Sequence, residues 1–297
     1  MRPFDTVVMA DWSARATPSP VRPSADAIWV AVARGGEIDV QYHRTRAGAE
    51  AVLSALLAAE CAAGRRVLLG LDFAFGYPMG FARALTGQDR AQAVWAWLAA
   101  HLRDGPDNGN NRFALADRIN AGFDGVGPFW GRPAGLALAH LPDRGRLRHG
   151  HGLPERRAVE EAVPRAQPVW KLFTTGAVGS QVLVGVPMLH RLAARFGQAL
   201  AVWPFEGWQA PIVLAEIYPA LLDPAVRRAG GIRDAAQVRL MARAVLAMQG
   251  AGRLADLFAT PADDPRINEE GWILGAQCGP TLCALVSPAS RSPDPAA

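Results

Sequence analysis

Three apolar segments of this chain each carry one carboxylate at or near their carboxyl end. Asp11 ends VVMAD, Asp72 lies in LLGLDF, and Glu216 lies in IVLAEI. An ionised side chain in an apolar segment is costly, so each carboxylate needs a compensating partner. That partner is either a set of hydrogen-bond donors or a shared cation. A single aspartate at a strand end is usually a turn or cap residue, whereas three in matching contexts favour a common site.

The chemistry that these acids suit is the binding of a divalent cation. Mg²⁺ and Mn²⁺ prefer oxygen ligands and usually take one or two protein carboxylates per ion. Open α/β sheets bind ligands beyond the carboxyl ends of their strands. We therefore expect Asp11, Asp72 and Glu216 to converge on Mg²⁺ or Mn²⁺ as metal ligands. Asp234, near the start of a predicted helix, is expected to complete the catalytic set.

The elements that must position these acids follow from hydrophobic periodicity and turn residues. The predicted strands cover 6–10, 27–33, 37–43, 67–73 and 212–217, and the predicted helices cover 46–63, 90–103 and 234–248. The first three strands are expected to be antiparallel, because the Gly35-Gly36 turn joins the second to the third. The segment 67–73 is almost wholly apolar, which is typical of a central strand buried on both faces.

Regular patterns are lost between Met79 and Glu206, and we interpret this stretch as an insertion at about 79–206 that selects the substrate. The segment from Asp104 to Arg157, which includes a basic loop over residues 144–157, combines Gly, Pro, Asn and Arg with little apolar periodicity and is predicted to be the least ordered internal part of the chain. The glycine-rich segment 176–185 lacks the Lys-Ser/Thr of a P-loop, so we expect a tight turn that brings Ser180 and Gln181 to the pocket as substrate-binding residues.

Lys171 is the third predicted substrate-binding residue. It is the only lysine in the chain and lies in the apolar segment VWKLF, where an ammonium group needs an anionic partner. That partner is a substrate phosphate or, alternatively, Glu206 or another acid in a simple ion pair. The sequence alone leaves both interpretations open.

Composition limits the class of protein. The 297 residues are 50% hydrophobic and 20% charged, as in ordinary globular proteins, and the formal charge of +4 weakly favours an anionic partner, either nucleic acid or nucleotide. No segment resembles a signal peptide or a membrane span. The three cysteines, Cys61, Cys278 and Cys283, lie far apart or at a spacing unlike any zinc site, so a cytoplasmic location without a membrane partner is expected. We predict one domain over 1–287 and a disordered tail over 288–297.

Five segments together resemble a family of bacterial proteins described as predicted nucleases of the ribonuclease H fold. They are MADWSA, GLDFAFGYP, GAVGSQVLVGVPMLHRL, LAEIYPALL and DAAQVRLMARA, in this order along the chain. The resemblance implies an α/β, ribonuclease H-like mixed sheet, with three antiparallel strands and then parallel strands, flanked by helices. It also implies acids at Asp11, Asp72, Glu216 and Asp234. Where the wider superfamily often has another acid or histidine one helical turn after the last of these, this chain has Gln237.

Two functions of different classes follow. The first is metal-dependent phosphodiester hydrolysis, with the carboxylates holding Mg²⁺ or Mn²⁺ and arginines of the insertion holding phosphates. The alternative is a nucleotide- or cofactor-binding protein on the same fold with little or no turnover. A catalytically inert interaction domain is a third possibility. The substrate, the preferred metal and the oligomeric state stay open.

Overall fold

The computed structural model describes residues 2–163 and 165–286, so the predicted disorder of 288–297 lies outside the described residues. A mixed sheet forms its centre. Its strands are β1 (Thr6–Asp11), β2 (Ile28–Arg34), β3 (Glu37–His43), β4 (Val67–Leu71), β5 (Leu200–Val202) and β6 (Ile212–Glu216). In space these six strands follow the order β3-β2-β1-β4-β6-β5.

The sheet is antiparallel on one side and parallel on the other. Strands β1, β2 and β3 are joined by antiparallel pairs, whereas β1, β4, β6 and β5 run parallel. The predicted succession of three antiparallel strands followed by parallel ones is confirmed. Strand β5 was not predicted, because three residues are too few to show a periodic pattern.

Helices cover both faces of the sheet. They are α1 (Arg46–Ala62), α2 (Phe81–Thr86), α3 (Ala91–His101), α4 (Arg112–Asn120), α5 (Ala158–Ala162), α6 (Gly179–Phe196), α7 (Asp223–Ala229), α8 (Arg233–Gly250), α9 (Leu254–Leu257), α10 (Ile267–Glu270) and α11 (Gly279–Val286). The helices predicted over 46–63, 90–103 and 234–248 correspond to α1, α3 and α8. Among the described residues, no helix is both long enough and apolar enough to cross a membrane.

Alternation along the strands divides the core into two layers. Val8, Leu69 and Leu214 pack against α1, α3 and α6 on one face, whereas Val7 and Val213 pack against α8 and α11 on the other. Residues in register on parallel neighbours share a face, and a shift of one residue moves a side chain to the opposite face. This rule decides which acids meet at the end of the sheet.

The prediction of a tight turn over 176–185 was wrong, because α6 begins at Gly179 and continues for 18 residues. Two glycines of α6, Gly179 and Gly185, allow neighbouring parts of the chain to pack closely against the helix. A Cβ on Gly179 would lie 2.1 Å from the Val169 carbonyl oxygen, and one on Gly185 would lie 2.7 Å from the Phe73 ring. Glycine at these positions lets the helix approach its neighbours, and the apolar residues between them are buried.

Two arginines of the basic segment 144–157 have buried side chains that bind other parts of the protein, so the segment is not solvated along its whole length. The side chain of Arg148 is 7% exposed and that of Arg157 is 3% exposed. Arg148 donates to the Pro128 carbonyl oxygen at 2.7 Å, and Arg157 reaches the end of β6. The glycine-rich, arginine-rich sequence of this segment suggested solvent exposure. Both guanidinium groups are instead held by buried acceptors outside the segment, the Pro128 carbonyl oxygen and the Glu216 carboxylate.

Candidate active site at the end of the sheet

Asp11 and Asp72 occupy matching positions on two neighbouring parallel strands. Ala10 of β1 is in register with Leu71 of β4, and the Asp72 amide donates to the Ala10 carbonyl oxygen at 2.9 Å. Each aspartate follows one of these residues, so both side chains point to the face covered by α8. The sequence prediction that these two strands bring their acids together is therefore supported by the register.

Both carboxylates border a cleft of about 970 Å³ at this end of the sheet, together with Asp234 and Gln237 of α8. Asp11 is 8% exposed and Asp72 is partly exposed. Among the described residues, no donor forms a hydrogen bond with either carboxylate. An aspartate that serves as a turn or helix cap accepts backbone hydrogen bonds, and these two do not.

Negative charge accumulates around the pair. Burial, and then the charges of Asp72, Asp234 and Asp26, raise the pKa of Asp11 well above its ordinary value, against a smaller opposing effect of Arg233. Burial, followed by the charges of Glu216 and Asp234, raises the pKa of Asp72 to about 7. Both carboxylates are thus destabilised in their ionised form, and a cation in the cleft would relieve this.

Asp234 lies in the first turn of α8, where one of its oxygens is already engaged. Its Oδ2 accepts a hydrogen bond of 2.7 Å from the Asp26 amide. Burial, the largest influence, raises the pKa of Asp234, while this hydrogen bond opposes the effect. Sequence reasoning missed Asp26, which lines the cleft because β2 is antiparallel to β1 and its start lies beside the end of β1. The predicted antiparallel succession of the first three strands was the signal for it.

Glu216 does not join this group, although it was predicted as a catalytic residue and metal ligand. It is in register with Leu71, one position before Asp72, so its side chain points to the opposite face of the sheet. There the Arg157 guanidinium donates to both of its oxygens, at 2.7 and 2.8 Å, and the Phe75 amide donates to Oε2 at 3.2 Å. Of the three acids expected to converge, Asp11 and Asp72 border the cleft, whereas Glu216 is paired with Arg157 on the other face.

Two of the three predicted substrate-binding residues line the cleft, and Lys171 does not. The Ser180 hydroxyl donates to the Leu172 carbonyl oxygen at 2.6 Å, and the Gln181 amide donates to the Trp12 carbonyl oxygen at 2.7 Å. Lys171 donates to the Thr175 carbonyl oxygen at 2.6 Å and lies 5.6 Å from the centroid of the Trp130 ring. It therefore tethers the loop beside the cleft.

The donor set suits a hard divalent cation, although it is small. Within residues 2–163 and 165–286, no three His, Cys, Asp or Glu side chains form a group able to hold a metal ion. Asp11 and Asp72 supply two carboxylates whose oxygens accept no hydrogen bond from a described residue. Because Mg²⁺ is usually bound by one or two carboxylates together with water and substrate phosphates, two free carboxylates fit such an ion.

Comparison with known proteins adds no relative: no family model, no curated protein and no solved structure matches the chain.

Proposed function

We propose that this protein is a metal-dependent phosphodiesterase of nuclease type on a ribonuclease H-like fold. Asp11 and Asp72 would hold Mg²⁺ or Mn²⁺, and Asp234 would complete the site. One observation carries the proposal: the buried Asp11 carboxylate and the partly exposed Asp72 carboxylate lie at adjacent strand ends, border a common cleft and accept no hydrogen bond from a described residue. Ligand sites of open α/β sheets occur at this place in the fold.

The bound cation would lower the pKa of a coordinated water and offset negative charge on the phosphate. The protein's own residues bind and orient. Asp11 and Asp72 are fixed by the rigid strands that carry them, and the Asp26 amide fixes Asp234. Asp234, which accepts backbone hydrogen bonds from Asp26 and Ala27, would help to orient the attacking water. Hydrolysis then breaks one P–O bond, and the water supplies the hydroxyl group and the proton to the two products.

We expect Asp11→Asn to lower Mn²⁺-dependent hydrolysis strongly, because an amide is a poor ligand for a hard cation. The loss in kcat/KM should be at least about 100-fold, since even residues that only support a metal ligand cost about 10–100-fold. Hydrolysis of bis(p-nitrophenyl) phosphate and of short DNA and RNA strands would be measured with Mn²⁺ and with EDTA. Asp39→Asn, at an exposed position of β3, is the matched control. Equal activity of Asp11→Asn and wild type would refute the assignment.

A second candidate function is the binding of a nucleotide or cofactor with little turnover. Two observations favour it. Glu216 is paired with Arg157, and the residue that lines the cleft beside Asp234 is the neutral Gln237. Thermal-shift titrations with nucleoside mono-, di- and triphosphates, with and without Mn²⁺, distinguish the two functions. Stabilisation by nucleotides in protein that hydrolyses no phosphodiester would favour the binding protein.

A further inference from the structure

Arg112, the first residue of α4, is a cation that pairs with no carboxylate of the described residues. Its Nε donates to the Ser180 hydroxyl at 3.0 Å, and its Nη1 donates to the Asn110 side-chain oxygen at 2.8 Å. Both acceptors are neutral. Among the described residues, no carboxylate lies within ion-pair distance of this guanidinium, and its Nη2 donates no hydrogen bond.

The surroundings of Arg112 make this lack of a counter-ion costly. The side chain is half-buried, with its Cζ 4.5 Å from the centroid of the Phe113 ring. Burial and then the neighbouring charge of Arg46 lower the pKa of Arg112 to about 10. The nearby acid, Asp104, is already occupied, since Arg46 Nε donates to its Oδ2 at 2.6 Å. Arg112 is partly withdrawn from water and pairs with no described carboxylate, so an anionic ligand can supply the partner that its charge lacks.

Arg112 faces the same cleft as the acids, from the other side of it. The lining of the cleft also includes Arg15, Thr174, Thr175 and Ser180, whose hydroxyl accepts from Arg112, whereas Asp11 and Asp72 point toward α8. Helix α4 packs against α6, which covers the opposite face of the sheet. A ligand in the cleft therefore meets carboxylates on one side and an unpaired guanidinium on the other.

We propose that Arg112 is a binding site for a phosphate group of the ligand, with Nη2 and the second proton of Nη1 as the donors. Arginine's planar fork suits two phosphate oxygens at once, and the bonds to Ser180 and Asn110 hold the guanidinium in place before the ligand arrives. A role of this site in hydrolysis depends on the proposed function; its capacity to bind phosphate does not. The ligand is a nucleic acid strand or a nucleotide, which share this group.

The test measures binding without turnover. Inorganic phosphate, a nucleoside 5′-monophosphate and an eight-nucleotide single strand are titrated against the full chain in EDTA at low salt. The variants are Arg112→Gln, Arg112→Lys and Arg118→Gln. Arg118 lies on the same helix but is exposed and outside the cleft, so it matches the change in net charge. Thermal unfolding of each variant checks that it is folded.

We expect Arg112→Gln to weaken binding of all three probes by at least about tenfold, which corresponds to about 1.4 kcal/mol. Arg112→Lys should weaken binding less, because it keeps the charge and loses the fork. Arg118→Gln should stay within about twofold of wild type, because a screened surface charge contributes little. Tighter binding of the strand than of the monophosphate, with a steep salt dependence, identifies a nucleic acid, and equal binding identifies a nucleotide.

Inorganic phosphate that binds equally to wild type, Arg112→Gln and Arg118→Gln would overturn the proposal, as would wild type that binds none of the probes. These outcomes are distinct from failure of the proposed function. If that function is wrong, Mn²⁺-dependent hydrolysis is absent while the dependence of phosphate binding on Arg112 persists.

Discussion

Glu216→Gln is expected to lower the free energy of unfolding by about 3 kcal/mol, because removing one partner of a buried ion pair typically costs about 3–5 kcal/mol. The substitution leaves Arg157 buried with Glu160 as its remaining carboxylate partner, at 2.8 Å. Urea unfolding monitored by circular dichroism measures the change. Stabilisation of the folded variant by Mn²⁺ should persist, since Glu216 points away from the cleft.

The matched control is Asp143→Asn, which removes an exposed partner of Arg144 in the same insertion. Such surface pairs contribute about 1 kcal/mol or less. If Glu216 were a cation ligand crowded by Asp11 and Asp72, its neutralisation would instead stabilise the metal-free protein and abolish the response to Mn²⁺. That result would contradict the structural role assigned to the pair of Glu216 and Arg157.

Asp72→Asn is expected to stabilise the metal-free protein at pH 8 and to abolish its stabilisation by Mn²⁺. The pKa of Asp72 is about 7 in the fold, against an ordinary value of 3.8. Wild type therefore loses stability as pH rises from about 4 to above 7, because the unfolded chain releases this proton first. The asparagine variant lacks this loss, which amounts to up to about 4 kcal/mol at pH 8.

Melting temperatures at pH 5 and pH 8, each in EDTA and in Mn²⁺, measure both effects of Asp72→Asn. The gain in EDTA should be larger at pH 8 than at pH 5. Asp39→Asn on β3 controls for the loss of one negative charge. An equal loss of stability at both pH values, with the Mn²⁺ response intact, would make Asp72 a structural residue whose hydrogen bonds the variant has lost.

Much of the sheet was predictable from local patterns. β-Branched and apolar runs located β1, β2, β4 and β6, and the Gly35-Gly36 turn predicted the hairpin of β2 and β3. Helix α6 was missed because glycines at 179 and 185 resemble turn residues in sequence. Glycine is needed at these two positions because other parts of the chain approach the helix closely there. A local sequence pattern carries no information about such tertiary contacts.

The candidate site was predictable in part, and register explains the difference. Asp11 and Asp72 end strands of similar pattern, and their side chains face the same way. Glu216 has the same sequence context, but β6 pairs with β4 so that Ile217, not Glu216, corresponds to Asp72. Nothing in the sequence of β6 alone fixes this shift of one residue. The partner of Glu216, Arg157, lies 59 residues away along the chain.

The most direct test of the central claim is a crystal structure of the protein soaked in Mn²⁺, with anomalous diffraction recorded to locate the ion. We expect an anomalous peak in the cleft, in contact with the carboxylates of Asp11 and Asp72, while Glu216 stays bound to Arg157. No peak beside Asp11 and Asp72 at millimolar Mn²⁺, or an ion coordinated by Glu216, would contradict it.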